Sequence, residues 1–229
     1  HRIHSIEALI DTYHPDVIGA QEVTSSMMKY MDRILREYGI CGKQRKSLMN
    51  NEANPVLYRK DRFELLEEKT LWLSDTPEVE GSRYAMSQFP RIVTIVTLKN
   101  RLNGDTVTFA NTHLDVNFAS VRQKQAEKLC ELLAKERSPI CLTGDFNSHE
   151  KHDSIMTIRQ AGYDDCASIQ LGSTLRGNIG SRRFSHMPID HIFFDCSFSR
   201  KEIHKLTETP QNIWPSDHYP LFAVLTTHA

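Results

Sequence analysis

The stretch from residue 91 to residue 143 limits the folds open to this chain more than any other. RIVTIVTL and TVTFANTH are β-prone runs on either side of NRLNGD, whose Asn103-Gly104 is a strong tight-turn signal, so the two read as a hairpin. A helical pattern follows over residues 119–136, with Ala126, Leu129, Cys130 and Leu133 on one side, and then the strand ICLT. A hairpin followed by a helical crossover calls for a sheet with both antiparallel and parallel neighbours.

The rest of the chain repeats that mixture. Ile3, Ile6, Ile10 and Tyr13 recur at helical spacing, and Pro15 stops the helix near His14. DVIGAQE reads as a short strand, and Thr24 as the cap of a helix carrying Met27, Met28, Met31, Ile34, Leu35 and Tyr38 inward and ending at Gly39. PVLYRKDRFELLEEKTLWLS reads as paired strands, residues 152–161 as a helix, and IDHIFFD and YPLFAVLTT as strands. No repeat, linker or low-complexity segment interrupts the pattern. The expectation is one α/β (α+β) domain over residues 1–229, two mixed sheets packed together with helices outside.

Composition narrows the function classes. With 229 residues, 39% of them hydrophobic and 25% charged, the chain can bury a substantial core. No apolar run approaches the ~20 residues of a membrane span, and the first residues lack the layout of a signal peptide. Five cysteines without a C-x-x-C give neither a disulfide framework nor a zinc site, and suit a reducing compartment. A cytoplasmic monomer is expected. The net charge of −1 excludes an overall basic field for nucleic acid, leaving TLRGNIGSRRF, with Arg176, Arg182 and Arg183, as the compact basic loop.

The chemistry lies where strands end. Glu22 closes VIGAQE, His113 closes TVTFANTH, and Asp145 and Asn147 follow ICLT. Asp190 and His191 lie in PIDHIFF, and Asp217 and His218 precede YPLFAVL. Strand ends are where open α/β folds build sites, and five endings rich in Asp, Glu, Asn and His need a common cause. In an extended backbone Asp145 and Asn147 share a face while Phe146 turns into the core, and Gly144 lets backbone and ligand approach closely. A carboxylate beside a neutral amide oxygen suits a hard cation such as Mg2+ or Mn2+, with Glu22 as a further ligand. GDFN alone also fits a turn with Asx hydrogen bonding, and a lone His is usually structural. His113 and His218, each with a carboxylate available, instead fit imidazoles held for proton transfer or for stabilising anionic oxygen, and kept charged by that neighbour. His149 and His152 form only H-x-x-H and read as solvated loop residues. G-x-S-x-G, G-x-x-x-x-G-K-[ST] and G-x-G-x-x-G are all missing from the sequence.

Taken in order, QE, NTHLD, GDFN, IDHIFF and SDHYP resemble the endonuclease/exonuclease/phosphatase superfamily, the deoxyribonuclease-I-like fold, across nearly the whole chain. The resemblance implies a four-layer sandwich of two mixed β-sheets flanked by helices, and a Mg2+- or Mn2+-dependent phosphohydrolase site along one edge. On that resemblance Glu22, Asp217 and Asp145 would serve the metal. Asp145 and Asn147 would position water and phosphate, and Asp190 would orient His218 at the scissile phosphate. His113 would bond a phosphate or leaving-group oxygen, and Glu52 matches a carboxylate that orients this His in some members. Arg91, Asn111 and Arg176 are candidate substrate contacts, and Trp72 and Trp214 candidate stacking rings. Substrates of the family span phosphorylated small molecules, phospholipid headgroups and nucleic acids. Family members begin with a strand ending in a metal- or phosphate-holding Asn, and no such segment precedes Ile3. That departure motivates an alternative, a catalytically weak or silent phosphate-binding module of the same fold.

Overall fold

The computed structural model describes residues 2–176 and 186–228. Among them run, in chain order, α1 (Arg2–Tyr13), β1 (Val17–Gly19), β2 (Val23–Thr24), α2 (Ser25–Ile34), β3 (Tyr38–Cys41), β4 (Glu52–Ala53) and β5 (Val56–Arg59). There follow β6 (Phe63–Trp72), β7 (Ile92–Asn100), β8 (Thr106–His113), α3 (Ala119–Leu133), β9 (Ile140–Asp145) and α4 (Asp153–Gln160). The chain closes with β10 (Asp164–Asp165), β11 (Asp190–Phe194), β12 (Phe198–Lys205) and β13 (Leu221–Thr227).

The hairpin-and-crossover reading holds. β7 and β8 pair antiparallel, and α3 carries the chain over to β9, which pairs parallel with β8. The larger sheet is mixed and runs β10-β11-β9-β8-β7-β6. The second layer is assembled from the antiparallel ladders β1-β5-β3 and β12-β13.

Three apolar clusters fix the layering. One joins the larger sheet to α3 and α4 through Ile95, Ala110, Leu142, Leu129 and Ile155. Another lies between the sheets, with Val96, Val107 and Phe194 meeting Val56, Ile203 and Leu225. The third packs α1 and α2 on the smaller layer through Ile10, Met31 and Leu57. Helices, sheet, sheet, helices is the resulting order, the sandwich architecture of the deoxyribonuclease-I-like fold.

Period-2 alternation assigns each strand residue to one of these clusters. Ala110 and Leu142 point to the helices, whereas Phe109 and Cys141, one residue earlier, do not. Two residues beyond Phe109 and Cys141 come Asn111 and Thr143, then His113 and Asp145. The candidate site is therefore the polar continuation of the rows that face the second sheet.

Several local expectations need correction. The second helix ends at Ile34, capped by Leu35, and not at Gly39, which lies in β3. Leu35 and Tyr38 turn into the core there, and a short turn from Leu35 to Tyr38 serves them better than another helical turn. Met27 is exposed, while Met31 is buried. The run PVLYR…LWLS does form two strands, but they do not pair with each other: β5 sits between β1 and β3, and β6 pairs with β7. YGIC and FSRKEIHK are strands that periodicity did not reveal. The five cysteines are all free, as expected.

Gly144 serves the fold and not a ligand. A Cβ there would stand 2.5 Å from the backbone oxygen of Thr112 on the neighbouring strand, on the face opposite Asp145. Gly144→Ala is expected to force β8 and β9 apart and cost about 1–3 kcal/mol. A lower urea midpoint would register this, and an unchanged one would show that the ladder can give.

Candidate active site

Three neighbouring strands deliver one row of side chains. His113 of β8 stands opposite Asp145 of β9, and Asp145 stands opposite Asp190 of β11. β8 and β9 run parallel, so His113 and Asp145 both sit at C-terminal strand ends, where ligands gather in α/β sheets. His218 comes from the loop before β13 and is fastened by a bridge to Leu175. Its Nδ1 lies 2.8 Å from Asp190 Oδ2, and its Nε2 lies 3.9 Å from Asp145 Oδ2.

His113, Asp145 and His218 meet in a cleft of about 300 Å3 that also takes in Glu22, Glu52, Arg91 and Asn147, while Asp190 reaches it through His218 and does not line it. Glu22 reaches it through a left-handed backbone, φ 58°, which is unusual for this residue type. Asn147 does likewise at φ 48°, where Asn is more at ease. The chain is extended only through Asp145. Asn147 N–H then donates to Asp145 Oδ1 at 2.9 Å, so GDFN is both an Asx turn and part of the cleft.

Hydrogen bonds settle the tautomer of His113. The Asn147 amide nitrogen donates to the Leu114 carbonyl at 3.1 Å, which fixes which end of the amide is nitrogen. The same nitrogen lies 3.1 Å from His113 Nε2, so Nε2 accepts and the ring proton sits on Nδ1. This corrects the expectation of a charged His113. Carboxylate oxygens of Asp145 and Glu22 stand at 3.6 and 4.0 Å from its ring nitrogens, too far for hydrogen bonds. Burial pushes its pKa well below the usual range, and the charges of Arg91, Arg45 and His218 push the same way. Burial and the guanidiniums decide, and the ring is neutral.

His218 behaves oppositely. Burial opposes its charge, but the hydrogen bond and charge of Asp190, with the charges of Asp145 and Asp217, outweigh burial and hold it at about 9. Asp145 is pushed up to about 7 by burial and then by Asp190, against the pull of His218, the Asn147 N–H and Arg91. The carboxylate pair is thus short of positive charge. Ligand atoms of Asp145, Asp190 and His218 lie within 4.8 Å of one another, close enough to share an ion.

Other expected contacts fall elsewhere. Asn111 faces the same way as His113 but two residues deeper, about 7 Å down the strand. Its amide is spent on the carbonyls of Ala20 and Pro55 at 2.7 and 2.9 Å and on the Gln21 side chain at 2.7 Å, so it ties the sheets together. Glu52 pairs with Arg45 at 3.0 Å and makes no hydrogen bond to His113. Asp217 does not line the cleft; its oxygen lies 3.4 Å from Ser216 Oγ and its backbone carbonyl holds the Arg176 N–H. Arg176 stacks on Trp214 outside the cleft, 4.7 Å from the ring centroid. Trp72 is buried, its indole N–H donating to the Arg45 carbonyl at 2.9 Å, and so cannot stack on a substrate. Arg182 and Arg183 lie outside the described residues.

Sequence reasoning missed Arg45 and Phe89, which form a wall of the cleft. The Arg45 guanidinium lies 4.6 Å from the Phe89 ring centroid, and the Asn50 carbonyl accepts a hydrogen bond from it. No motif marks either residue, because the wall forms only when the loop after β3 meets the one before β7. His191, adjacent to Asp190, points away: it bonds Asp165 and the Ser148 carbonyl, both at 2.8 Å, and is buried.

No curated protein matches the chain. Among solved structures, an endonuclease/exonuclease/phosphatase family protein from Bacteroides thetaiotaomicron is 28% identical, with a TM-score of 0.84 over 99% of this chain and 89% of that one. An endonuclease/exonuclease/phosphatase from Bacteroides vulgatus is 26% identical, with a TM-score of 0.86 over 99% and 90% of the two chains. A mannosyl-6-phosphatase from Bacteroides thetaiotaomicron VPI-5482 is 29% identical, with a TM-score of 0.83 over 98% and 90%. The model of the Endonuclease/Exonuclease/phosphatase family matches residues 1–218, which take in every strand end that builds the cleft. On that match and the row of strand-end groups together, the chain belongs to the endonuclease/exonuclease/phosphatase family.

Proposed function

We propose that this protein hydrolyses a phosphate ester by direct attack of water, with Mg2+ or Mn2+ as its metal. The observation that carries the reading is the row His113, Asp145 and Asp190 across three adjacent strands, closed by His218. The donor set suits a hard cation: the Glu22 and Asp145 carboxylates and the Asn147 amide oxygen, with the two carboxylates Asp145 and Asp190 facing a single imidazolium, His218. When bound, such an ion polarises a phosphoryl oxygen and neutralises charge that builds there.

The chain's own groups divide the remaining work. Asp145, buried at the strand end between His113 and His218, takes the proton of the attacking water. His218, held as imidazolium by Asp190, donates to the phosphate oxygens as they gain charge. His113 offers its Nδ1 proton to an oxygen of the phosphate or leaving group. Asn147 holds that ring by donating to Nε2. The mannosyl-6-phosphatase among the similar structures makes sugar phosphates the first substrates to try. Among the described residues no helix is long and apolar enough to cross a membrane.

Hydrolysis of hexose 6-phosphates, read as inorganic phosphate, and of a diester and short RNA, read as the monoester or shortened strand formed, each in Mg2+ or Mn2+ and in EDTA, tests the proposal. At least one ester should be hydrolysed at least tenfold faster with metal. Equal rates in EDTA, or phosphate binding with no turnover of any ester, would leave the silent phosphate-binding module standing instead.

A further inference from the structure

One charge in the cleft lacks a partner. Arg91 precedes β7, is 4% exposed and lines the cleft beside His113 and Asp145. Its backbone is fixed, the carbonyl accepting from Leu73 N–H at 2.8 Å. Its side chain is not: among the described residues no carboxylate pairs with it within 4.0 Å, and its Nε has no hydrogen-bond partner. Asp145, Asp115 and Glu22 attract it from a distance, yet none closes on it. Its neighbour Arg45 also leaves its Nε without a hydrogen-bond partner, but its charge is paired, with Glu52 at 3.0 Å and the Phe89 ring beneath it.

Burying an unpaired charge is costly, and a fold tolerates it where the partner arrives from outside. The partner is an anion. Guanidinium presents paired N–H groups that match two oxygens of a phosphate. The number of free oxygens then discriminates among esters. A phosphomonoester has three terminal oxygens and, with a second pKa of about 6, a charge near −2 at neutral pH. It can give two oxygens to Arg91 and still meet the metal and His218. A diester has only two free oxygens and a single charge, so a two-oxygen grip by Arg91 would leave none for the metal and His218.

We propose that Arg91 clamps the substrate's phosphate and sets a preference for phosphomonoesters over phosphodiesters. This rests on the phosphohydrolase reading above, but its first test does not. Inorganic phosphate is titrated against the unaltered protein, Arg91→Met, Arg91→Lys and the charge-matched control Arg137→Met while Tm is followed. Arg137 is exposed beside the start of β8, at the other end of that strand from His113. Phosphate should raise Tm in the unaltered protein and the control, and Arg91→Met should need at least tenfold more phosphate for the same rise. Without phosphate, Arg91→Met should melt no lower than the unaltered protein.

The second test is kcat/KM on one monoester and one diester. Arg91→Met should lower the monoester value about 100-fold and the diester value less than tenfold, with Arg91→Lys between. An undiminished phosphate response in both Arg91 variants would overturn the clamp. Equal fractional losses on the two esters would overturn the preference. Should no ester be hydrolysed, the phosphohydrolase reading fails, and the phosphate titration still decides the role of Arg91. If Arg91→Met does not fold, Arg91→Lys carries both comparisons.

Discussion

Asp145→Asn is expected to lower kcat by about 10²–10⁴-fold, the usual contribution of a positioned general base, with the fold intact. The substitution preserves shape and keeps an oxygen for the Asn147 N–H, which Asp145 Oδ1 accepts at 2.9 Å. It removes the group that takes the proton. Stability should move the other way. Burial and Asp190 raise the Asp145 pKa to about 7, above the ordinary carboxylate value, so the folded state holds this proton more tightly than the unfolded one. That raised value makes ionised Asp145 a liability: stability falls as pH climbs from about 4 through about 7 and stays lower above it. A neutral amide relieves this, and at pH 8 in EDTA Asp145→Asn should melt no lower than the unaltered protein. A fold-intact variant retaining a tenth or more of the turnover would remove Asp145 from the proton transfer.

How far the sequence disclosed this site follows from which physical rules are local. Alternation along a strand is local, so the facing of His113, Asp145 and Phe146 could be read directly, and so could the hairpin at Asn103-Gly104 and the cap at Thr24. Depth is not local. Asn111 shares the face of His113, yet lies where the two sheets nearly touch: a Cβ on Gly19 would come 2.7 Å from its side-chain oxygen. Nothing in TVTFANTH says which polar residue clears the second sheet. Charge partners are not local either. Glu52 was expected near His113, but Arg45 claims it, and His113 is left to burial and two guanidiniums from distant loops. The neighbouring Asp115 turns away to Ser87 Oγ at 2.9 Å and to the N–H groups of Asn117 and Phe118 at the start of α3. Strand partnership fails for the same reason. β5 and β6 are joined by a short turn, yet Leu57 faces the cluster under α1 and α2 while β6 carries nine residues in register with β7.

Asp190→Asn should cost about 10²–10⁴ in kcat near pH 8 with a smaller change in KM, although Asp190 itself need not touch substrate. It acts through His218. The 2.8 Å contact from Nδ1 to Asp190 Oδ2 turns Nε2 toward the cleft and, against the effect of burial, holds the ring's pKa at about 9. An amide can still accept the Nδ1 proton but brings no charge, so burial then prevails and His218 is neutral at pH 8. The alkaline limb of the kcat profile should move to lower pH as a result. Ring-nitrogen NMR of the metal-free protein reads the cause directly: His218 should titrate near 9 in the unaltered protein and at least two pH units lower in the variant. Stability carries the matching sign. Because the folded pKa lies above the unfolded value of about 6.5, the stabilisation is fully present below about 6.5 and is lost as pH rises through about 9. Its full size is of order 3 kcal/mol at 1.36 kcal/mol per pH unit. A merely structural Asp190 would lower Tm equally at pH 6 and pH 10 and leave the His218 titration in place, and either result would remove the positioning role.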